Sequence, residues 1–131
     1  MWYGHNVMDK DKLIKIHRVA MKIVKDSIIE CEEEGDELTE SLLERYYSIL
    51  CTCEAVLSEK KLSFEQLLNL DDAKLYCELR GYVSQELGFI SQKKDYFDDA
   101  YKYTKLLIEY NNNDSQVYYN LFLICNELKF F

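Results

Sequence analysis

The stretch "LGFISQKKDYFDDAYKYTKLLIEYNNND", residues 87–114, decides the fold predicted for this chain. Its apolar residues recur at helical spacing on both sides of a polar break near Asp95, which indicates two amphipathic helices joined by a short turn. The first of these helices contains Gly88, although glycine costs about 1 kcal/mol relative to alanine inside a helix. Close approach of the second helix would explain this glycine.

The composition favours helices along the whole chain. The 131 residues include no proline and only four glycines, so turn chemistry and side-chain caps must end each helix. We predict two long helices at about 9–33 and about 37–58. Three more long helices run from a cap at Asp71 or Asp72 to about 92, from a cap at Asp95 to about 110, and from a cap at Asp114 or Ser115 almost to the C-terminus. Between the second and third long helices, the capping-box pattern "SFEQ" at 63–66 begins a short helix. The predicted fold class is all-α: antiparallel helical hairpins, five long helices and one short, in a helical array or bundle, with residues 1–131 forming one domain.

Charge and hydropathy exclude several classes of partner. Residues 1–25 carry six basic and two acidic residues, a net charge of +4, so the rest of the chain carries −12 to give the total of −8. An acidic chain repels the phosphates of nucleic acids. No apolar run approaches the about 20 residues that span a bilayer, and no signal-peptide pattern opens the sequence. We therefore expect a cytoplasmic protein that binds neither nucleic acid nor membrane.

The residues that usually carry catalysis are sparse. His5 and His17 are the only histidines, and His17 lies at the edge of an apolar stripe that includes Ile16 and Ile23, so we expect it to be partly buried. Five cysteines without C-x-x-C spacing, Cys31, Cys51, Cys53, Cys77 and Cys125, are expected to be reduced thiols. Phosphate-binding loops and protease motifs are missing. The sequence therefore predicts a protein that is not an enzyme, with no metal or cofactor.

The opening stretch resembles the tetratricopeptide repeat. Leu87 and Gly88 form a large-small pair on one helix, Ala100 follows twelve positions after Gly88 on the next helix, and a polar turn comes near residue 112. The resemblance implies that Gly88 packs against Ala100. The family's repeat is 34 residues long. A repeat that begins at Gly81 is therefore followed by one that begins at Ser115. The resemblance covers about residues 81–128, and it departs from the family at Ser84, Thr104 and Asn112, which replace an aromatic residue, another large residue and a proline.

Upstream, Ala55 and Leu67 are again twelve positions apart and Phe64 precedes Leu67, so residues 1–80 include one candidate degenerate repeat.

The resemblance implies binding of a polypeptide. First helices of such repeats line a concave surface that takes peptides or extended protein segments. Carried over to this chain, the partner-binding positions are Tyr82, Gln85, Phe89, Gln92, Gln116, Tyr119, Asn120 and Leu123. The family's carboxylate clamp is not expected, because Gln85 and Phe89 occupy its lysine and asparagine positions. The implied types are an adaptor, a small chaperone or a peptide-sensing regulator.

A different class of function remains open beside peptide binding. The acidic run "ECEEEGDE" at residues 30–37, within the acidic region 30–44, is compatible with a phage or viral inhibitor that occupies a basic surface of a host protein.

The last helix predicts self-association. Tyr119, Leu123 and Phe130 point away from its main apolar face at spacings of four and seven, so something must cover them. The candidates are the first or second helix folding back, a bound partner, or the same surface of a second copy in a homodimer.

Overall fold

Helices and connecting turns account for the part of the chain that the structure describes. The structure, a computed structural model, describes the backbone of residues 3–110 and 113–131 and the side chains of residues 10–110 and 113–131. Its helices are α1 (Tyr3–Glu33), α2 (Glu40–Glu59), α3 (Phe64–Leu67), α4 (Leu70–Ser91), α5 (Lys94–Tyr110) and α6 (Ser115–Leu128). The predicted all-α class, with five long helices and one short, is confirmed. None of the helices in these ranges is long and apolar enough to cross a membrane.

Side-chain caps determine where α3 and α4 begin. The predicted capping box is confirmed: Ser63 Oγ accepts from the Gln66 N–H at 3.2 Å, and Gln66 Oε1 accepts from the Ser63 N–H at 2.9 Å. The predicted cap of α4 is wrong, because Asn69 Oδ1 accepts from the Asp72 N–H at 2.8 Å. Asp71 and Asp72 lie in the first turn instead, where the positive end of the helix dipole stabilises their carboxylates.

Helices α5 and α6 begin close to the residues that were predicted to cap them. α5 begins at Lys94, so Asp95 lies in its first turn and does not cap it. Asp114 caps α6 by accepting from the Gln116 N–H at 2.9 Å, as expected for one of the two predicted candidates. Of the predicted turn at 111–114, residues 111–112 lie outside the described residues.

The central element is α4, which packs against α1, α2 and α5. Its buried residues therefore extend around most of its circumference: Ala73, Tyr76, Cys77, Leu79, Arg80, Gly81, Val83, Ser84, Gln85, Leu87 and Gly88. Ile90, which the apolar stripe predicts to be in the core, is exposed in the last turn of α4. A helix with neighbours on three sides has no single apolar face, so helical periodicity alone does not identify its buried residues.

Two glycines set the contact between α4 and α5. A Cβ atom at Gly88 would lie 2.7 Å from Cε1 of Phe97, and one at Gly81 would lie 3.0 Å from Oγ1 of Thr104. These pairs lie seven residues apart on both helices but in opposite directions along the chain, so α4 and α5 are antiparallel. The atoms nearest to that Cβ position all belong to Phe97, whose buried ring fills the space that Gly88 leaves, so the first neighbour of Gly88 is Phe97 and not the predicted Ala100.

The inner face of α1 packs against α2 and α4. Its buried residues are Leu13, His17, Ala20, Met21, Val24 and Ile28. The predicted stripe is rotated relative to this face, and Ile16 and Ile23 are each 49% exposed. Arg18 Nε pairs with Asp72 Oδ2 at 2.7 Å near the start of α4, and further along both helices Glu32 lies near Tyr82. α1 and α4 therefore run parallel.

The last helix, α6, packs mainly against α5. Val117 and Ile124 are buried on its inner face, as predicted. Tyr119 and Phe130 are exposed, so the alternative in which α1 or α2 folds back over them is wrong for the described residues. Leu123 is half-buried.

Candidate functional site

A cavity of about 480 Å³ opens between α1, α4 and α6, with α5 behind it. We call it the α1/α4/α6 cavity. Its lining residues are Lys25, Ile28, Ile29 and Glu32 of α1; Lys74, Leu75, Cys77, Glu78, Leu79, Gly81, Tyr82 and Gln85 of α4; Thr104 and Leu107 of α5; and Asp114, Gln116, Val117 and Asn120 at the start of α6. Apolar walls with a few polar groups are typical of a ligand site.

Four of the eight predicted partner-binding residues line this cavity. They are Tyr82 and Gln85 on α4 and Gln116 and Asn120 on α6. Residues four apart share a helix face, which explains why Gln116 and Asn120 face the cavity together. Their amides are joined by a hydrogen bond from Gln116 Nε2 to Asn120 Oδ1 at 3.0 Å.

The other four predicted residues lie away from the cavity. Phe89 packs edge-on against Phe97 with ring centroids 5.4 Å apart. Gln92 ends α4 in the left-handed conformation, and its amide donates to the Phe89 carbonyl at 3.0 Å. Tyr119 is exposed and Leu123 is half-buried, and neither of them lines the cavity.

Sequence reasoning missed the contribution of α1. Lys25, Ile29 and Glu32 line the cavity, although the partner site predicted from the sequence lies only on α4 and α6. Their spacing of four and three residues puts them on one helix face, and this shared face could have been recognised from the sequence. The spacing does not show which element this face packs against. That becomes known only when α1 is placed parallel to α4.

The most informative polar group in the cavity is the carboxamide of Gln85. Gln85 is only 9% exposed, yet its side chain makes no hydrogen bond to any residue that the structure describes. The Gln85 amide is not among the fully buried polar atoms that lack a partner, so it is accessible from the cavity. A carboxamide offers one acceptor and two donors, which match the carbonyl and N–H of a peptide group.

Tyr82 adds a hydroxyl that stays protonated at neutral pH. Burial raises its pKa to about 12, and the nearby carboxylates of Glu86 and Glu32 act in the same direction. Burial also raises the pKa of Glu86. The Tyr82 hydroxyl therefore stays protonated and hydrogen-bonds with the Glu86 carboxylate at the edge of the cavity.

A second polar cluster, which the sequence analysis did not predict, lies between α2, α4 and α5. Arg80 Nη1 donates to Glu54 Oε1 at 2.6 Å and Arg80 Nη2 to Asp99 Oδ2 at 3.0 Å. The hydroxyls of Tyr76 and Tyr103 donate to the same Glu54 carboxylate. We call these five residues the Arg80 cluster. Tyr76, Arg80 and Ser84 follow one another at spacings of four, so they lie on one face of α4. This shared polar face could have been recognised from the sequence.

His17, Cys53 and Cys77 lie in the core, whereas Cys31, Cys51 and Cys125 are half-buried. His17 is 1% exposed, more deeply buried than predicted; its Nδ1 lies 3.3 Å from the Leu13 carbonyl oxygen, and burial lowers its pKa. Its Nε2 has no hydrogen-bond partner among the described residues. Burial raises the pKa of the Cys77 thiol to about 12, so this thiol stays protonated at neutral pH. Within the same residues, no three His, Cys, Asp or Glu side chains are grouped so that they could hold a metal ion.

Comparison with known proteins adds no relative: no family model, curated protein or solved structure matches this chain. The function must therefore be argued from the α1/α4/α6 cavity and the exposed surfaces.

Proposed function

We propose that this protein is a non-enzymatic binding module that takes a segment of another polypeptide into the α1/α4/α6 cavity. The observation that carries the proposal is the carboxamide of Gln85, which lines the cavity and makes no hydrogen bond to the described residues. A peptide group of the bound segment would supply both the donor and the acceptor that this side chain lacks, and would offset its desolvation.

The order of the helices supports the same proposal. α1, α4 and α6 would be the first helices of successive pairs in a tetratricopeptide-like array, and these three helices converge on the cavity. α5 would be the second helix of its pair, and it contributes only Thr104 and Leu107 from behind. A concave surface formed by first helices is where such arrays hold peptides. This placement extends the proposed array to α1 and α2.

Walls of the cavity favour a segment with both apolar and polar side chains. Ile28, Leu79 and Val117 supply apolar surface, while Lys25 and Glu32 supply charges of opposite sign on α1. Burial of one apolar side chain from the segment is worth about 1.5–3 kcal/mol. Paired hydrogen bonds to Gln85 would then fix the direction and register of the bound backbone.

Selection from a random peptide library displayed on phage, with the full chain immobilised, tests the proposal. Peptides that are enriched would be synthesised with a fluorophore and titrated against the wild type and three variants. Asn120→Trp fills the cavity and should weaken binding at least about tenfold. Gln85→Leu keeps the side-chain volume but removes the amide, and should also weaken binding. Thr52→Trp, on an exposed position of α2, is the matched control.

The proposal fails if no peptide is enriched, or if the enriched peptides bind Asn120→Trp and Gln85→Leu as tightly as the wild type. Circular dichroism of each variant would show that a loss of binding is not a loss of fold.

A second candidate is an inhibitor that covers a basic surface of another protein, and the turn between α1 and α2 favours it. The carboxylate of Glu30 and then a hydrogen bond with Asp36 raise the pKa of the exposed Glu34, which indicates a concentrated negative potential. Binding through this turn should collapse between 0.05 and 0.5 M salt, on the order of the range over which exposed charges become screened. Binding in the α1/α4/α6 cavity should change much less.

A further inference from the structure

An aromatic surface remains uncovered at the C-terminal end of the helix array. Its residues and their exposed fractions are Tyr118 (45%), Tyr119 (56%), Phe122 (65%), Phe130 (79%) and Phe131 (52%). We call this the α6 aromatic face. This face includes Tyr118 and Phe122 in addition to the predicted Tyr119 and Phe130, so it is wider than the sequence predicts.

The size of this face is close to what a stable interface needs. An aromatic side chain offers about 200 Å² of surface, so the exposed fractions leave on the order of 600 Å² uncovered in each copy. Two such faces packed together would bury roughly 1,200 Å², the lower end of the range for stable protein interfaces. Single exposed aromatic residues are common, whereas a continuous group of five marks an interaction surface.

Charge determines which occupant fits this face. The chain has a net charge of −8, so most of its surface repels a second copy. From Ser115 to Phe131, however, Glu127 and Lys129 are the only charged side chains, and their charges cancel. Two copies can therefore approach through α6 without bringing like charges together.

The other exposed apolar ridge in the described residues does not share this property. Ile16, Val19 and Ile23 are exposed along α1, at 49%, 58% and 49%. Lys15 and Lys22 lie beside this ridge, and Lys22 is paired with Asp26 at 2.9 Å, so pairing of two copies through α1 would have to cover these charged groups.

We propose that two copies of this chain pair through the α6 aromatic face about a two-fold axis. The interface is isologous, so α6 of one protomer packs on α6 of its partner, with Tyr119 and Phe122 at its centre. Phe131 continues the face towards the rest of the protein, because its ring lies 5.9 Å from that of Phe97, which fills the space beside Gly88. The pairing does not use the α1/α4/α6 cavity, since none of the five residues of the α6 aromatic face lines it.

Sedimentation velocity from 1 to 100 µM tests the pairing. The wild type should approach twice the chain mass of 15.6 kDa at the upper end of this range. The double variant Tyr119→Glu/Phe122→Glu should remain at the mass of one chain, with the dissociation constant raised by at least about 100-fold, because four carboxylates would be placed in one apolar interface. Ile16→Glu/Val19→Glu, on the α1 ridge, is the matched control and should still form dimers.

Salt supplies an independent measurement. A charge-free interface should persist in 0.5 M sodium chloride and become slightly tighter, because screening weakens the repulsion between two acidic chains. If the glutamates lower the melting temperature, Tyr119→Ser/Phe122→Ser answers the same question without introducing charge. A wild type that stays at one chain mass up to 100 µM overturns the proposal, as does a dimer that survives the α6 variants or is lost in the α1 control.

Discussion

Replacing Arg80 with methionine tests whether the Arg80 cluster holds α2, α4 and α5 together. The Arg80 side chain is 8% exposed and pairs with carboxylates of Glu54 and Asp99 that are 25% and 28% exposed. Methionine keeps much of the side-chain volume but removes the charge and all the donors. The two carboxylates then face each other across a site that is only partly open to water.

The expected cost follows from this geometry. Removing one partner of a buried ion pair costs about 3–5 kcal/mol, and the partial exposure of both carboxylates places Arg80→Met at the lower end, about 3 kcal/mol. With an unfolding entropy of about 2.1 cal/mol/K per residue, the melting temperature of this 131-residue chain should fall by roughly 11 °C.

Arg18→Met is the matched control for this experiment. Arg18 Nε and Asp72 Oδ2 are also 2.7 Å apart, but the Arg18 side chain is 55% exposed, so the pair should be worth at most about 1 kcal/mol. Thermal unfolding followed by circular dichroism measures both variants. Adding Glu54→Gln and Asp99→Asn to Arg80→Met should recover part of the loss, because the uncompensated charges disappear. Equal costs for Arg80→Met and Arg18→Met would refute the reasoning.

Two further predictions concern the core. Gly88→Ala should lower stability by about 1–3 kcal/mol, because its Cβ would meet a Phe97 ring atom at 2.7 Å; Phe97→Leu in the same chain should reduce that cost, and additive effects in a double-mutant cycle measured by urea unfolding would contradict the contact. Lowering the pH should destabilise the wild type below the ordinary histidine pKa of 6.5, because the His17 pKa is lowered in the folded state and the unfolded chain therefore binds the proton first. His17→Leu should show a smaller drop in melting temperature between pH 7.5 and 5.0, and identical drops would exclude His17 as the source.

Local chemistry was enough to predict the helices of this protein. Hydrophobic periodicity, the absence of proline and the caps at Ser63 and Asp114 act over a few residues, so they can be recognised without knowing what packs against what. The same holds for the need for a small residue at Gly88. That Phe97 is its first neighbour was not predicted, because the identity of the facing side chain depends on how α5 is rotated about its own axis.

Tertiary structure alone decided which polar groups meet. Glu54 and Asp99 reach Arg80 from α2 and α5, and Glu32 of α1 comes near Tyr82, across gaps that no sequence spacing specifies. Half of the predicted partner-binding residues line the α1/α4/α6 cavity, because a shared face of one helix follows from spacing. Phe89 and the rest lie elsewhere, because packing against several neighbours sets the rotation of each helix. Sequence therefore determined the elements and their faces, while packing determined which faces meet.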